Sequence, residues 1–177
     1  MSDPKLFKIS NGALNGKSLP SRLKVLSWGE NDSTDGKFTV GPKTAAGIAA
    51  QAKNGFERVA IDFNHSSVQG SDTYCECVRE GVPPVIFGYG RPNVLQGDGL
   101  YLEDVIWTPS GQKHALNFED LSPALRDSNG EVTMLHSVAL TPNGKVNEVA
   151  TRNLRPLEFG IVVTTQYNLA SFVPPSL

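Results

Sequence analysis

Three kinds of side chain in this sequence could move a proton or attack a carbonyl: histidines, serines and acidic residues. His65 closes the segment Ile61-Asp62-Phe63-Asn64-His65 and is followed by Ser66 and Ser67. Strand alternation puts Ile61, Phe63 and His65 on one face. A histidine leaving an apolar strand face beside small polar residues is placed to act as a general base near neutral pH. Ser122 lies in Leu121-Ser122-Pro123. No G-x-S-x-G surrounds it, so it is not the nucleophile elbow of an α/β-hydrolase, and a residue before proline is extended or in a turn. Over residues 132–141, alternation puts Val132, Met134, His136, Val138 and Leu140 on one face and Thr133, Leu135, Ser137, Ala139 and Thr141 on the other. The second set is smaller and more polar, which suits the wall of an active site. Pro142-Asn143-Gly144 follows, and a glycine there lets backbone N–H groups point inward, as an oxyanion hole requires.

Each of these residues has a plainer reading when taken singly. His65 could do no more than satisfy a carbonyl, Ser122 could be a turn residue, and His136 a half-buried strand histidine. His114 falls in a predicted helix, where a solvated histidine is ordinary. Glu103 and Asp104 are adjacent on a strand and diverge, so they do not form a catalytic carboxylate pair. Asp120 shares a face with Ser122 and is a candidate for a supporting role. Cys75 and Cys77 are the only cysteines. A C-x-C pair does not complete a tetrahedral zinc site, and the histidines supply no companion pair at ligand spacing. Free thiols on a loop or edge strand are expected, with no metal and no cofactor.

The elements that must position these residues are mostly strands. Gly and Pro, 17 and 12 residues, punctuate short apolar runs, a pattern of many short strands rather than a helix bundle. Strands are predicted over 6–10, 22–28, 37–40, 58–64, 85–89, 100–107 and 132–141. Helices are predicted over 42–54, which opens with Pro and stops at Gly55, and over 109–116, which follows Thr108 as N-cap. Residues 66–84 read as a loop-rich stretch that covers or borders the site of His65. The tail from 156 reads as a last strand or docked segment with a loose, Pro-containing end. One domain over 1–155 with a tail over 156–177 is the expected organisation.

Composition narrows the function. The chain of 177 residues, 39% hydrophobic, is of a size to bury one core. A net charge of −2 with scattered cations gives no footprint for nucleic acid or an anionic membrane. No apolar run reaches the ~18 residues of a membrane span, and the opening Met1-Ser2-Asp3-Pro4-Lys5 lacks a signal-peptide pattern. A cytosolic protein is expected.

In order along the chain, Asp62-Phe63-Asn64-His65, Phe87-Gly88-Tyr89-Gly90, Gly99-Leu100-Tyr101 through Trp107-Thr108-Pro109-Ser110-Gly111, Leu121-Ser122-Pro123 and Ser137-Val138-Ala139-Leu140-Thr141 resemble the Mu-like prophage I protein family. That family comprises capsid-maturation proteases of Mu-type phages and is similar to the prohead proteases and herpesvirus assemblins. The resemblance implies an α+β, β-rich fold, a small closed or partly closed β-barrel flanked by a few helices. It implies Ser122 as nucleophile, His65 as base, and backbone near Gly144 and Lys145 as oxyanion donors. Aligned through Val138-Ala139-Leu140, Ser137 takes the third position, with His136 and Asp120 as alternatives. A serine there accepts the N–H of His65 but does not stabilise imidazolium as a carboxylate does. The implied function is a serine endopeptidase acting by an acyl-enzyme on phage scaffold, on major capsid protein and on itself, inside the procapsid in the bacterial cytoplasm. The chain is shorter than a protease joined to a full scaffold, so it reads as a released protease or as a chain ending near a processing site. A homodimer or assembly-dependent oligomer is compatible with the resemblance. The rival readings are a β-barrel phage structural protein without activity, and a metal-dependent hydrolase using His65, His136 and nearby carboxylates.

Overall fold

The computed structural model of the chain describes residues 5–6, 14, 18–33, 36–118 and 120–141. In order these form β1 (Lys5–Leu6), β2 (Leu23–Ser27), β3 (Gly29–Ser33), β4 (Gly36–Val40), α1 (Pro42–Lys53), β5 (Val59–Phe63), α2 (Asp72–Glu80), β6 (Ile86–Leu95), β7 (Gly99–Trp107), α3 (Pro109–His114), a 3-10 turn (Ala115–Asn117), β8 (Asp120–Ser128) and β9 (Glu131–Thr141). The strands pair in the order β1-β8-β9-β5-β6-β7-β2, with the β3–β4 hairpin joined to β9. This path curls into a nearly closed seven-strand barrel carrying three helices, the expected α+β small barrel. All pairings are antiparallel except β5–β9 and the single bridge of β4 to β9.

The core fills the barrel with fully buried Ile61, Phe87, Leu121, Leu125, Leu135 and Leu140. Phe63, Phe87 and Phe118 pack ring against ring, with centroids 5.5 to 6.3 Å apart. Outside lies α1, started by Pro42 in its first turn and by the Gly41 N–H donating to Thr44 Oγ1 at 3.0 Å. It seals β9. Gln51, buried, donates Nε2–H to Leu135 O at 2.8 Å and accepts the Leu135 N–H at 3.1 Å. A side-chain amide here replaces a neighbouring strand. Gly47 brings the two backbones together: a Cβ at that position would lie 2.2 Å from Thr133 O.

Three features differ from the sequence expectations. Residues 66–84 are not all loop, because α2 forms within them. Ser71 caps it, accepting the Tyr74 N–H at 3.1 Å, and Gly81 ends it in a left-handed conformation. Cys75 and Cys77 therefore sit on a helix rather than on a loop or strand, one exposed and one buried, both free. The second difference is β8, unpredicted because Pro123 falls in its middle. Its outer side pairs with β1 only at Leu125 and Ala124, so the missing N–H of Pro123 interrupts no described ladder there. The third is β9. Its register against β8 slips twice, between Ala124 and Leu125 and between Arg126 and Asp127. His136 is the extra residue of the first bulge, and strict alternation fails below it. Val132 and Leu135 both enter the core, while Met134 and His136 are half-buried. Residues 7–10 of the first predicted strand, Gly144, Lys145 and the tail from 156 lie outside the described residues.

Candidate active site

β5 stops at Phe63 and the chain reverses at once. The Ser66 N–H donates to Phe63 O at 2.8 Å, and the two residues between, Asn64 and His65, have φ of 45° and 63°. That is the geometry of a type I′ turn, which ordinarily recruits Asn and Gly. Histidine in left-handed backbone costs of order 1 kcal/mol, and the surroundings hold it there. Ser71 Oγ donates to His65 O at 2.7 Å. The Asn64 N–H continues the parallel ladder to Leu140 O at 3.1 Å, and Asn64 Nδ2–H donates to Thr73 Oγ1 at 2.9 Å. Ser66 Oγ bonds both Val85 O and the Val85 N–H, each at 3.1 Å. Beneath the turn, the Asp62 carboxylate accepts the Ser67 N–H at 3.0 Å and the Ser67 hydroxyl.

The turn overturns one expectation. Ile61 and Phe63 point into the core, but His65 does not share their face. The reversal carries it back over the opposite face of β5, that of Asp62. The same face continues across the sheet. β5 pairs with β9 so that Asp62 matches Ala139, and β9 pairs with β8 so that Ala139 matches Ser122. Asp62, Ala139 and Ser122 therefore form one row across three strands, with Ser137 one pair further along, matched to Ala60 and Ala124. Strand spacing sets Asp62 and Ser122 roughly 9.5 Å apart at the backbone. Ala139, small and central, leaves space above it for a ring.

His65 occupies that space. Its Nε2 lies 2.7 Å from Ser122 Oγ. The pair is 7% and 3% exposed. Burial, and then the charge of His136, push the His65 pKa down to about 4. The ring is neutral at pH 7 and can accept the serine proton through Nε2, which leaves its own proton on Nδ1. That Nδ1 is buried and has no hydrogen-bond partner among the described residues.

Among the other candidates, Ser137 is fully buried on the Ser122 face, but its hydroxyl meets His136 Nδ1 at 3.3 Å rather than the His65 ring. The structure brings His65 and Ser122 together and does not join Ser137 to them. His136 acts on His65 through charge, and its own pKa is lowered by burial and then by Arg126. Asp120 is buried at the start of β8, opposite Thr141. Asp62 is the residue that alternation concealed. It is fully buried, and burial pushes its carboxyl up to about 6 against the opposing pull of the Ser67 hydroxyl, the Ser67 N–H and the His65 N–H. One of its oxygens, Oδ1, is buried without a partner among the described residues. The available signal was the spacing: an acidic residue three before the histidine, with Asn64 between them as a left-handed turn former.

Among the described residues no group of three or more His, Cys, Asp or Glu could hold a metal ion, and no helix is long and apolar enough to cross a membrane.

The sequence model of the Mu-like prophage I protein, N-terminal domain, matches residues 23–151. The chain belongs to that family. The matched span holds every element from β2 to β9, and with them the His65–Ser122 pair. Membership of the Mu-like prophage I protein family makes this a phage-associated protein. No curated protein and no solved structure matches the chain.

Proposed function

We propose that this Mu-like prophage I domain is a serine endopeptidase of procapsid maturation. The observation that supports it most is the 2.7 Å approach of His65 Nε2 to Ser122 Oγ, between residues 57 apart in sequence on non-adjacent elements. Ser122 attacks the scissile carbonyl as its proton passes to His65 Nε2. His65 then returns the proton to the leaving amine, and water releases the acyl group by the same relay. In this reading backbone N–H groups near Gly144 and Lys145 receive the oxyanion. The substrates are the scaffold, the capsid precursor and the protein's own chain, and the reaction takes place within the procapsid in the host cytoplasm.

Incubating the purified chain with a fluorophosphonate, and separately with its phage's scaffold protein, tests this. Wild type should be labelled and should shorten the scaffold, while Ser122→Ala and His65→Gln should do neither. Equal persistence of scaffold in all three, with no labelling, sinks the reading. It would leave a barrel with a structural or scaffold-binding role, which the low basicity of His65 also accommodates.

A further inference from the structure

Nothing in the dyad itself accounts for how a histidine of such low basicity, with its Nδ1 unpartnered, could hold a proton during acyl transfer. We propose that Asp62 is the positioning residue of the dyad: its carboxylate braces the turn that carries His65 and faces the imidazole as the counter-charge when the ring takes the serine proton. The proposal rests on the protease reading and deepens it.

Three independent observations carry it. The first is the cross-strand row: Asp62, Ala139 and Ser122 lie side by side on one face, and His65 folds back over that row. With Nε2 on Ser122, at one end of the row, the proposal directs Nδ1 toward the other end, that of Asp62. The second is the pair of vacant valences. His65 Nδ1 and Asp62 Oδ1 are both buried, both lack a partner among the described residues, and stand three residues apart, one in the turn and one at the end of the strand that feeds it. Buried polar atoms are rarely left unpaired in native proteins, so a donor and an acceptor left vacant together mark a bond to be made when the site closes on substrate, as catalytic hydrogen bonds tighten in the Michaelis complex. The third is the brace. The Ser67 N–H and hydroxyl fix Asp62 Oδ2 from the far side of the turn, and Oδ1 is the carboxylate oxygen without a hydrogen-bond partner among the described residues.

The step balances without further reactants. The Ser122 O–H proton moves to His65 Nε2, the Oγ–carbon bond forms, and the carbonyl electron pair moves to oxygen. Asp62 stays ionised and compensates the imidazolium, which a serine hydroxyl could not do.

Around Asp62 and His65 the titratable and charged groups are few. β9 contributes His136, and β8 contributes the buried Asp120 and, behind His136, Arg126. α2 turns Thr73 and Cys77 inward and its charges Asp72, Glu76, Arg79 and Glu80 outward. β6 places uncharged Ile86 opposite Asp62. The acid limb of the reaction therefore belongs to Asp62, which is raised to about 6, before His65, which titrates at about 4.

The test measures the second-order rate of fluorophosphonate labelling from pH 4.5 to 8 in the full chain, for wild type, Asp62→Asn and Asp62→Glu. Wild type should lose rate below about pH 6. Asp62→Asn should label about a hundredfold more slowly at pH 7 and lack the limb near pH 6, and Asp62→Glu should regain part of the rate together with an acid limb. A folded Asp62→Asn that labels within threefold of wild type with an unchanged pH profile overturns the proposal. If the variants do not fold, ring-nitrogen NMR of wild-type His65 decides. An inflection near pH 6 supports the assignment, and a single titration without it overturns it. Failure of wild type itself to label, with Ser122→Ala indistinguishable from it, would overturn the protease reading and this proposal with it. Loss of the Asp62 dependence alone leaves the protease reading standing.

Discussion

His65 and Asp62 are tied to pH in opposite senses. Asp62 binds its proton more tightly folded than unfolded, its pKa rising from 3.8 to about 6, so native stability falls as pH rises through that window, by up to roughly 3 kcal/mol. His65 binds its proton less tightly, falling from 6.5 to about 4, so native stability falls as pH drops through nearly the same window, by a comparable amount. In wild type the two slopes largely cancel between pH 4 and 6. Urea midpoints across that range should be nearly flat for wild type. They should fall with acid for Asp62→Asn, and fall with rising pH for His65→Gln; three parallel curves would contradict the assignment. The turn makes a separate demand. At φ 63° His65→Asn should fold about as well as wild type, whereas a β-branched His65→Val should lose a further ~1–2 kcal/mol in the same assay. Of these residues His65 and Ser122 were legible in the sequence, each from its place in an ordered set of short motifs. Asp62 was not, because extending the strand through His65 placed the carboxylate and the imidazole on opposite faces. Two left-handed residues undo that geometry, and alternation has no way to register them.

At the scale of elements, α1 and β9 depend on each other through one amide. Gln51→Ala strands both the N–H and the C=O of Leu135 in a buried site, at a cost of about 2–4 kcal/mol. Chemical denaturation should show the loss, and a difference under 1 kcal/mol would mean that β9 finds another partner. Gly47→Ala should be at least as damaging, since the added Cβ has only backbone to meet. These contacts fix the bulge at His136 and, past it, the register that sets Ala139 beside Ser122. Strong apolar runs such as 58–64, 100–107 and 132–141 announced their strands because burial on a pleated face needs that pattern. β3, the polar Gly29–Ser33, and β8, interrupted by Pro123, are made by their neighbours rather than by their own composition. α2 carries few apolar residues and lies between glycines and prolines, so its stretch read as loop-rich, although Ser71 and Gly81 marked both of its ends.

For the molecule as a whole, the barrel class followed from short strands and frequent turns, while its closure did not. Closure depends on β5 and β9, parallel neighbours more than seventy residues apart in the chain, and no local pattern encodes such a pairing. Parallel, non-local pairing is slow to form because the loop between must be ordered first. Amide exchange should reflect that hierarchy. β5, β8 and β9 should exchange only on global opening, and the β3–β4 hairpin, bridged to β9 at a single pair, should exchange faster. Equal protection across the sheet would argue against it. The same crossing governs when His65 and Ser122 can first meet, and so when the proposed activity can begin. During synthesis the histidine leaves the ribosome long before the serine, and the strand that must lie between them emerges last of the three. Until that strand is inserted, His65 and Ser122 belong to two unconnected pieces of sheet. Under the proposed function a nascent chain is therefore chemically silent toward its neighbours and toward itself, and the proposed capacity to cut arises in one step, with completion of the barrel.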